Sequence, residues 1–269
     1  MPLIQQFIDS QVAVITLADS ERGNRLNTAL LEKLSLAMEK SMKDPEVRVI
    51  VLRSNGKIFC RGMDLNLLQE EAESSERLRR AITLYSDLLF SILTSSKPVM
   101  VLVAGDVQAG GVGIVSACDI VICSSEATFE LSEVLFGIIP ANVLPFLLSI
   151  RIPLQKARYL VLTAKKITAE EACRIGLADE VFSTENFERG VKQIIKALLR
   201  SSPHALAETK DFTLRILNKG VGEARRLAIE KLLNLIKKRE IIEAISAFNR
   251  GELPPWFGKY RPMRPLTGV

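Results

Sequence analysis

Between Lys97 and Asp119 the sequence reads KPVMVLVAGDVQAGGVGIVSACD. Val99 to Val103 is apolar at every position and rich in β-branched residues, with Pro98 at its entrance. Such a run predicts a short strand covered on both faces, as in an α/β architecture. Gly105 breaks the run, and Gly110, Gly111 and Gly113 follow; glycines there permit backbone angles or close approaches that a Cβ would block. Ile114 to Ala117 continue as an apolar helical turn. The spacing is neither G-x-G-x-x-G nor G-x-x-x-x-G-K-[ST], so neither a dinucleotide nor a P-loop nucleotide is indicated. A helix N-terminus approached by glycines still offers backbone N–H groups to an anion, including an oxygen that becomes negative only during a reaction.

A second stretch repeats the arrangement. Val47 to Ser54 reads as a strand, and Asn55-Gly56-Lys57 leads to Phe59-Cys60-Arg61-Gly62-Met63-Asp64-Leu65, again a Gly-centred corner. Two such corners can supply two N–H groups to one oxygen. Phe59 to Leu65 resembles the F-C-x-G-x-D-L signature of the crotonase (enoyl-CoA hydratase/isomerase) superfamily. Lys97 to Ile120 resembles its second signature, and Phe129 through Glu133 to Gly137-Ile138-Ile139-Pro140 its third. The order and spacing agree from about residue 10 to about residue 200.

That resemblance implies a crotonase fold: an α/β spiral of ββα units over 1–200, followed by a helical region over 201–269 that builds trimers or hexamers. It implies a thioester substrate carried on coenzyme A or acyl-carrier protein, and no cofactor. It also implies an oxyanion hole made by the backbone N–H groups of Met63 and Gly110. Hydratases of the family place one glutamate just after the glycine run and a second ahead of the Gly-Ile-Ile-Pro segment. Here the first position is Gly113 and the second is Glu133, so ordinary hydration of a fatty enoyl thioester is disfavoured. One carboxylate can still act as base and then as acid in an elimination, with its pKa raised by burial. Glu130 competes for that role from the other face.

Val107 to Gly113 together with Phe129 to Leu147, and the ending Gly251 to Trp256, are similar to the first crotonase-type enzyme of polyketide β-branching cassettes. That similarity implies dehydration of a 3-hydroxy-3-methylglutaryl group on acyl-carrier protein to 3-methylglutaconyl, with Glu133 as acid and base. Arg61, Gln108 and Asn142 are candidates to hold the distal carboxylate. Asp64, Tyr85, Gly111 and Ala141 complete the expected substrate-binding set, Tyr85 because its helix walls the acyl pocket in the family. The rivals are decarboxylation or double-bond isomerisation on the same scaffold, general hydration, and a silent carrier-binding protein. The missing lysine on the Tyr85 helix and the single remote histidine count against decarboxylation.

Of 269 residues 25% are charged and the net charge is +5, too mildly and diffusely basic to mark a nucleic-acid protein. The clusters Lys237-Lys238-Arg239 and Lys259/Arg261/Arg264 read as solvated faces, or as attraction for an acidic carrier. Cys60, Cys118, Cys123 and Cys173 show no C-x-x-C spacing and read as buried free thiols of a cytoplasmic protein. The single histidine, His204, argues against a histidine-based metal site and a Ser–His–Asp triad; it reads as a non-catalytic residue at a helix start. No signal peptide and no membrane-spanning run are read.

Along the chain, Leu3 to Phe7 and Val12 to Leu17 predict strands joined at Asp9-Ser10-Gln11. Asn27 caps a helix that ends near Asp44-Pro45. Asn66 to Glu76, acidic and Ser-rich, is expected to be mobile. A helix over Glu76 to Thr94 presents Leu78, Ile82, Tyr85, Leu88, Leu89 and Ile92. Ile120 to Cys123 and Val181-Phe182 predict strands, and Leu154 to Thr163 and Asn186 to Arg200 helices. Thr168-Ala169-Glu170-Glu171 is a capping box opening a helix that ends at Gly176. Leu206 to Leu217 and Gly222 to Asn249 predict two further helices, the second with more apolar residues than its own core needs. Pro254-Pro255-Trp256 reads as an extended tail.

Overall fold

The computed structural model describes residues 2–65 and 75–267. Most of the acidic stretch expected to be mobile lies outside the described residues. The chain opens with a hairpin, β1 (Ile4–Asp9) and β2 (Val12–Leu17). Its two-residue turn puts Ser10 and Gln11 at φ 51° and 69°, the mirror-image turn that matches strand twist. Helix α1 (Thr28–Lys43) starts where the Asn27 side chain accepts the Leu30 N–H. β3 (Val49–Ser54) and β4 (Ile58–Cys60) follow, then α2 (Ser75–Thr94). The pattern recurs as β5 (Val99–Val103), β6 (Asp106–Gln108) and α3 (Gly110–Ala117). It recurs once more as β7 (Ile120–Ser124) and β8 (Thr128–Glu130).

In each repeat the first strand joins a six-stranded sheet of order β1-β2-β3-β5-β7-β10 and the second a four-stranded sheet of order β4-β6-β8-β9. β10 is Glu180–Phe182 and β9 is Ile167–Thr168. The large sheet is parallel apart from the hairpin, and the small sheet is parallel apart from β8 against β9. These paired ββα turns are the spiral the resemblance implies, although no sequence repeat announces them.

The large sheet is buried on both faces, and alternation along each strand divides two cores. Ala13, Ile15, Ile50, Leu52, Val99, Val101 and Val103 pack toward α1, α2 and α3. Val12, Val14, Val49, Val51, Met100 and Leu102 pack toward Phe187, Val191, Ile195 and Leu199 of the helix Thr184–Arg200. Each such side chain is worth roughly 1.5–3 kcal/mol on burial, which is why the run 99–103 carries no polar residue.

Between β5 and β6 the chain leaves one sheet for the other at Gly105. A Cβ there would overlap the Lys57 carbonyl, and that carbonyl cannot retreat because it accepts the Asp106 N–H at 3.0 Å. Gly105→Ala is therefore expected to cost about 3 kcal/mol. Its thermal midpoint should drop by roughly 6–12 °C. An unchanged midpoint in calorimetry would mean that the crossing has slack.

After β8, a short 3₁₀ turn (Glu133–Phe136) leads through a helical and π-helical segment (Leu144–Arg151) to α4 (Leu154–Thr163). α5 (Ala169–Ile175) carries the expected capping box of Thr168 with Glu171 and closes at Gly176, φ 92°. α6 is Thr184–Arg200, and α7 (Pro203–Ile216) is capped by Ser202. The long helix expected over Gly222–Asn249 is instead two helices, α8 (Val221–Ile236) and α9 (Arg239–Asn249). The corner falls on the cationic run, where Lys238 is extended and its ammonium meets His204 Nε2 at 2.6 Å.

The ending beyond Trp256 is not a free tail. Arg48 donates to the Trp256 carbonyl (2.7 Å), Gly258 N–H to Leu199 (2.9 Å), and Met263 N–H to Asp9 (2.7 Å). Tyr260 and Leu266 are buried in the second core. No helix among the described residues is long and apolar enough to cross a membrane.

Candidate active site

The first corner leaves β4 at Cys60. Buried Asn24 donates to the carbonyls of Ile58 (3.1 Å) and Phe59 (2.9 Å), and the Cys60 thiol donates to the Asn24 carbonyl (3.2 Å). Burial pushes that thiol up to about 12, so it is a structural S–H and not a nucleophile. Gly62 takes φ 80° and its carbonyl accepts Leu26 N–H at 2.8 Å, while Asp64 N–H returns to Leu26 at 3.0 Å. Met63 between them is left with an N–H that has no acceptor among the described residues.

The second corner joins β6 to α3. Its hinge is Ala109, at φ 47° and ψ −122°, a region few residues with a Cβ adopt. Ala109 N–H is tied to the Glu130 carbonyl at 2.9 Å. Gly110 then opens α3, and its N–H also lacks an acceptor among the described residues. The two corners touch: a Cβ on Gly62 would come within 2.7 Å of Ala109 Cβ and 2.9 Å of Gly110 N. Both free N–H groups thus sit on abutting turns, one of them at a helix start where negative charge is favoured.

Facing them is Tyr85 on α2. Its hydroxyl donates to the Gly110 carbonyl at 2.6 Å, and a Cβ at Gly113 would overlap that hydroxyl. Burial first, then Cys60 and Glu133 nearby, hold the phenol well above its ordinary pKa, so it stays a protonated donor.

Glu133 begins the 3₁₀ turn that Gly137 closes at φ 75°. Its side chain is buried, and Oε2 meets no hydrogen-bond partner among the described residues. Burial raises its carboxyl above the usual range, offset in part by its own backbone N–H. A raised carboxylate with one unpartnered oxygen, lining the same cavity as the two free N–H groups, has the character of a general base.

These groups border a cavity of about 440 Å³. Of the expected site residues, Arg61, Met63, Tyr85, Gly110, Glu133, Ala141 and Asn142 line it; Asp64, Gln108 and Gly111 do not. Asp64 lies 3.8 Å from Arg25, Gln108 pairs with Glu130 in the small sheet, and Gly111 backs onto the Cys60 carbonyl. Glu130 borders a separate, smaller cleft with Lys165 and Ile167. His204 sits on α7, away from the cavity. Asn142 donates to the Ile82 carbonyl (3.3 Å), joining α2 to the segment that carries Glu133. Ser132, Phe136, Ile138, Ile139, Leu78 and Ile82 also line the wall. Ile138 and Ile139 stand exposed in this apolar rim; in the sequence only their place in the Gly-Ile-Ile-Pro segment points to them.

Residues 8–259 match the family model described as enoyl-CoA hydratase/isomerase. The bacillaene synthase dehydratase PksH of Bacillus subtilis is 34% identical over 220 residues, covering 82% of this chain and 83% of that protein. The peroxisomal Delta(3,5)-Delta(2,4)-dienoyl-CoA isomerase of Arabidopsis thaliana is 30% identical over 248 residues, covering 88% and 86%. A crystal structure of an enoyl-CoA hydratase/isomerase from Marinobacter aquaeolei superposes with a TM-score of 0.88 at 26% identity, over 95% of this chain and 99% of that one. With paired ββα turns in two sheets and a cavity at the glycine corners, the chain has the crotonase fold and belongs to the enoyl-CoA hydratase/isomerase family.

Proposed function

We propose that this protein dehydrates a 3-hydroxy-3-methylglutaryl thioester on acyl-carrier protein to 3-methylglutaconyl. The observation that carries the reading is the acid–base equipment of the cavity: among its described lining residues Glu133 is the one carboxylate, and Arg61 the one cation. The place of a second carboxylate, Gly113, is taken by the Tyr85 hydroxyl. The similarity to PksH, a dehydratase by name, supports the same reading.

In this mechanism the thioester oxygen lies on Met63 N–H and Gly110 N–H. Glu133 removes a proton from the carbon next to the thioester carbonyl, and the charge passes to the held oxygen as an enolate. Losing one such donor costs roughly 3 kcal/mol of transition-state stabilisation. As the enolate collapses, the C–O bond at the next carbon breaks, and Glu133 returns its proton to the departing hydroxyl. Water leaves, and Glu133 is again a carboxylate. Arg61 offers the charge partner for the distal carboxylate, and Asn142 a polar contact beside it. Exposed Leu232, Leu233, Ile236, Ile242 and Ile245 on α8 and α9 support assembly into a trimer or hexamer.

Incubation with 3-hydroxy-3-methylglutaryl-loaded acyl-carrier protein, read by intact mass, tests the reading. Loss of one water is the expected result. A one-carboxylate cavity also suffices for moving a double bond, and the similarity to a dienoyl-CoA isomerase favours that second reading. An unchanged mass, together with double-bond migration in an enoyl thioester, would replace dehydration by isomerisation. Loss of carbon dioxide from the 3-methylglutaconyl carrier would make the protein a decarboxylase.

A further inference from the structure

Gly110 is the least constrained residue type at the point where aim matters most. Without a Cβ it can rotate through conformations that would swing its N–H out of the cavity. Three hydrogen bonds restrain it from its two sides. Upstream, Ala109 is fixed by its N–H to the Glu130 carbonyl (2.9 Å) and by its own carbonyl, which accepts Val112 N–H (2.9 Å). Downstream, the Gly110 carbonyl is held by the Tyr85 hydroxyl at 2.6 Å. That hydroxyl sits there only because residue 113 has no side chain: a Cβ at 113 would overlap the Tyr85 oxygen and come within 3.2 Å of its Cζ and of Leu89 Cδ1.

We propose that Tyr85 is a positioning residue whose hydroxyl, admitted by Gly113, clamps the Gly110 carbonyl and so fixes the aim of the Gly110 N–H at the thioester oxygen. The inference rests on reading Gly110 N–H as an oxyanion donor. It gives Gly113 a role of its own: the position is not merely short of a carboxylate but must be empty for the clamp to close. Tyr85 and Gly113 are then one device, and substitutions at the two should not act independently.

The clamp predicts a cycle of three variants. Tyr85→Phe keeps the ring and its packing but removes the donor; kcat should drop roughly ten- to a hundredfold, the range expected of a misaimed rather than absent donor. KM should stay within about threefold, because the donor matters most as charge develops. Gly113→Ala, which pushes the hydroxyl off the carbonyl, should lose a similar factor. In the Tyr85→Phe background, where no hydroxyl remains to displace, Gly113→Ala should cost little more.

A second readout does not depend on which reaction the enzyme performs. The infrared carbonyl stretch of bound, carbonyl-labelled crotonyl-CoA reports how strongly the thioester oxygen is hydrogen-bonded. It should be shifted to lower frequency in the wild type, and part of that shift should be lost in Tyr85→Phe. Wild-type kcat and an unmoved band in Tyr85→Phe would overturn the clamp, as would fully additive losses in the double variant. If the protein leaves the 3-hydroxy-3-methylglutaryl carrier intact while Tyr85→Phe still moves the band, the dehydratase reading fails and the clamp stands. An unshifted band in the wild type would overturn both the clamp and the oxyanion role of Gly110.

Discussion

Glu133→Gln is expected to lower kcat by roughly 10²- to 10⁴-fold, the usual worth of a positioned acid–base group, with KM little changed. The carboxylate is the form that removes the proton, and burial raises its pKa. Wild-type kcat/KM should therefore fall as pH drops through that raised value, and the variant's residual activity should lack this acid limb. A pH–rate profile of the two enzymes checks both points. The same burial predicts an opposite effect on stability. A folded-state pKa above the unfolded one gives stability that is full below the unfolded pKa and lost as pH rises through the folded pKa. At pH above that raised value the ionised Glu133 is thus a burden on the fold, and there the glutamine variant should melt higher than the wild type. Wild-type turnover in Glu133→Gln would remove the residue from the chemistry.

The second large effect is expected at Gly62. Gly62→Ala combines two penalties: φ 80°, which disfavours any Cβ, and a Cβ 2.7 Å from Ala109 Cβ and 2.9 Å from Gly110 N. The second obstacle is largely backbone, so the corners must separate, and with them the two N–H groups. We expect kcat to fall about 10²- to 10³-fold, as for loss of an oxyanion donor. A stability loss of about 3 kcal/mol should accompany it. Gly251→Ala provides the comparison, because Gly251 has nearly the same φ, 76°, with nothing within 4 Å. Its melting temperature should drop by the conformational penalty alone. Equal losses of stability in the two variants, with activity intact in Gly62→Ala, would show that the corners tolerate separation.

What could be read from the chain beforehand was what is encoded locally. The strand Val99–Val103, the Asn27 cap, the Thr168–Glu171 box and the Gly176 stop each depend on residues within a few positions of one another, and each stands in the structure as expected. The strands of the small sheet run only three residues or fewer, too short for an alternating pattern to declare itself. The break at Lys238 and the docking of Tyr260 and Leu266 are decided by distant neighbours.

The cavity divides the same way. Glu133 and both glycine corners belong to contiguous motifs. The left-handed Ala109 carries no glycine to betray it. The fit between Gly113 and Tyr85 joins a turn and a helix far apart in sequence. Asp64, Gln108 and Gly111 share the motifs of the lining residues yet lie off the cavity; adjacency in a motif does not say which way a residue looks.

The strap over the second core bears on how the protein is made. Asp9 receives Met263 and Arg264, Ser10 donates to Arg261, Arg48 to Trp256, and Arg53 to Leu266. Strand β1 is thus finished by residues about 250 positions later in the chain. Until residue 266 has emerged, Val12, Val14, Val49 and Val51 remain incompletely covered, an apolar strip on a half-made sheet. Contacts so distant along the chain are slow to form and leave intermediates open to aggregation. Yield in a cell should therefore depend on chaperone supply more steeply than the stability of the finished molecule would indicate, and a newly made chain that stalls shortly before its strap should be a substrate for quality control.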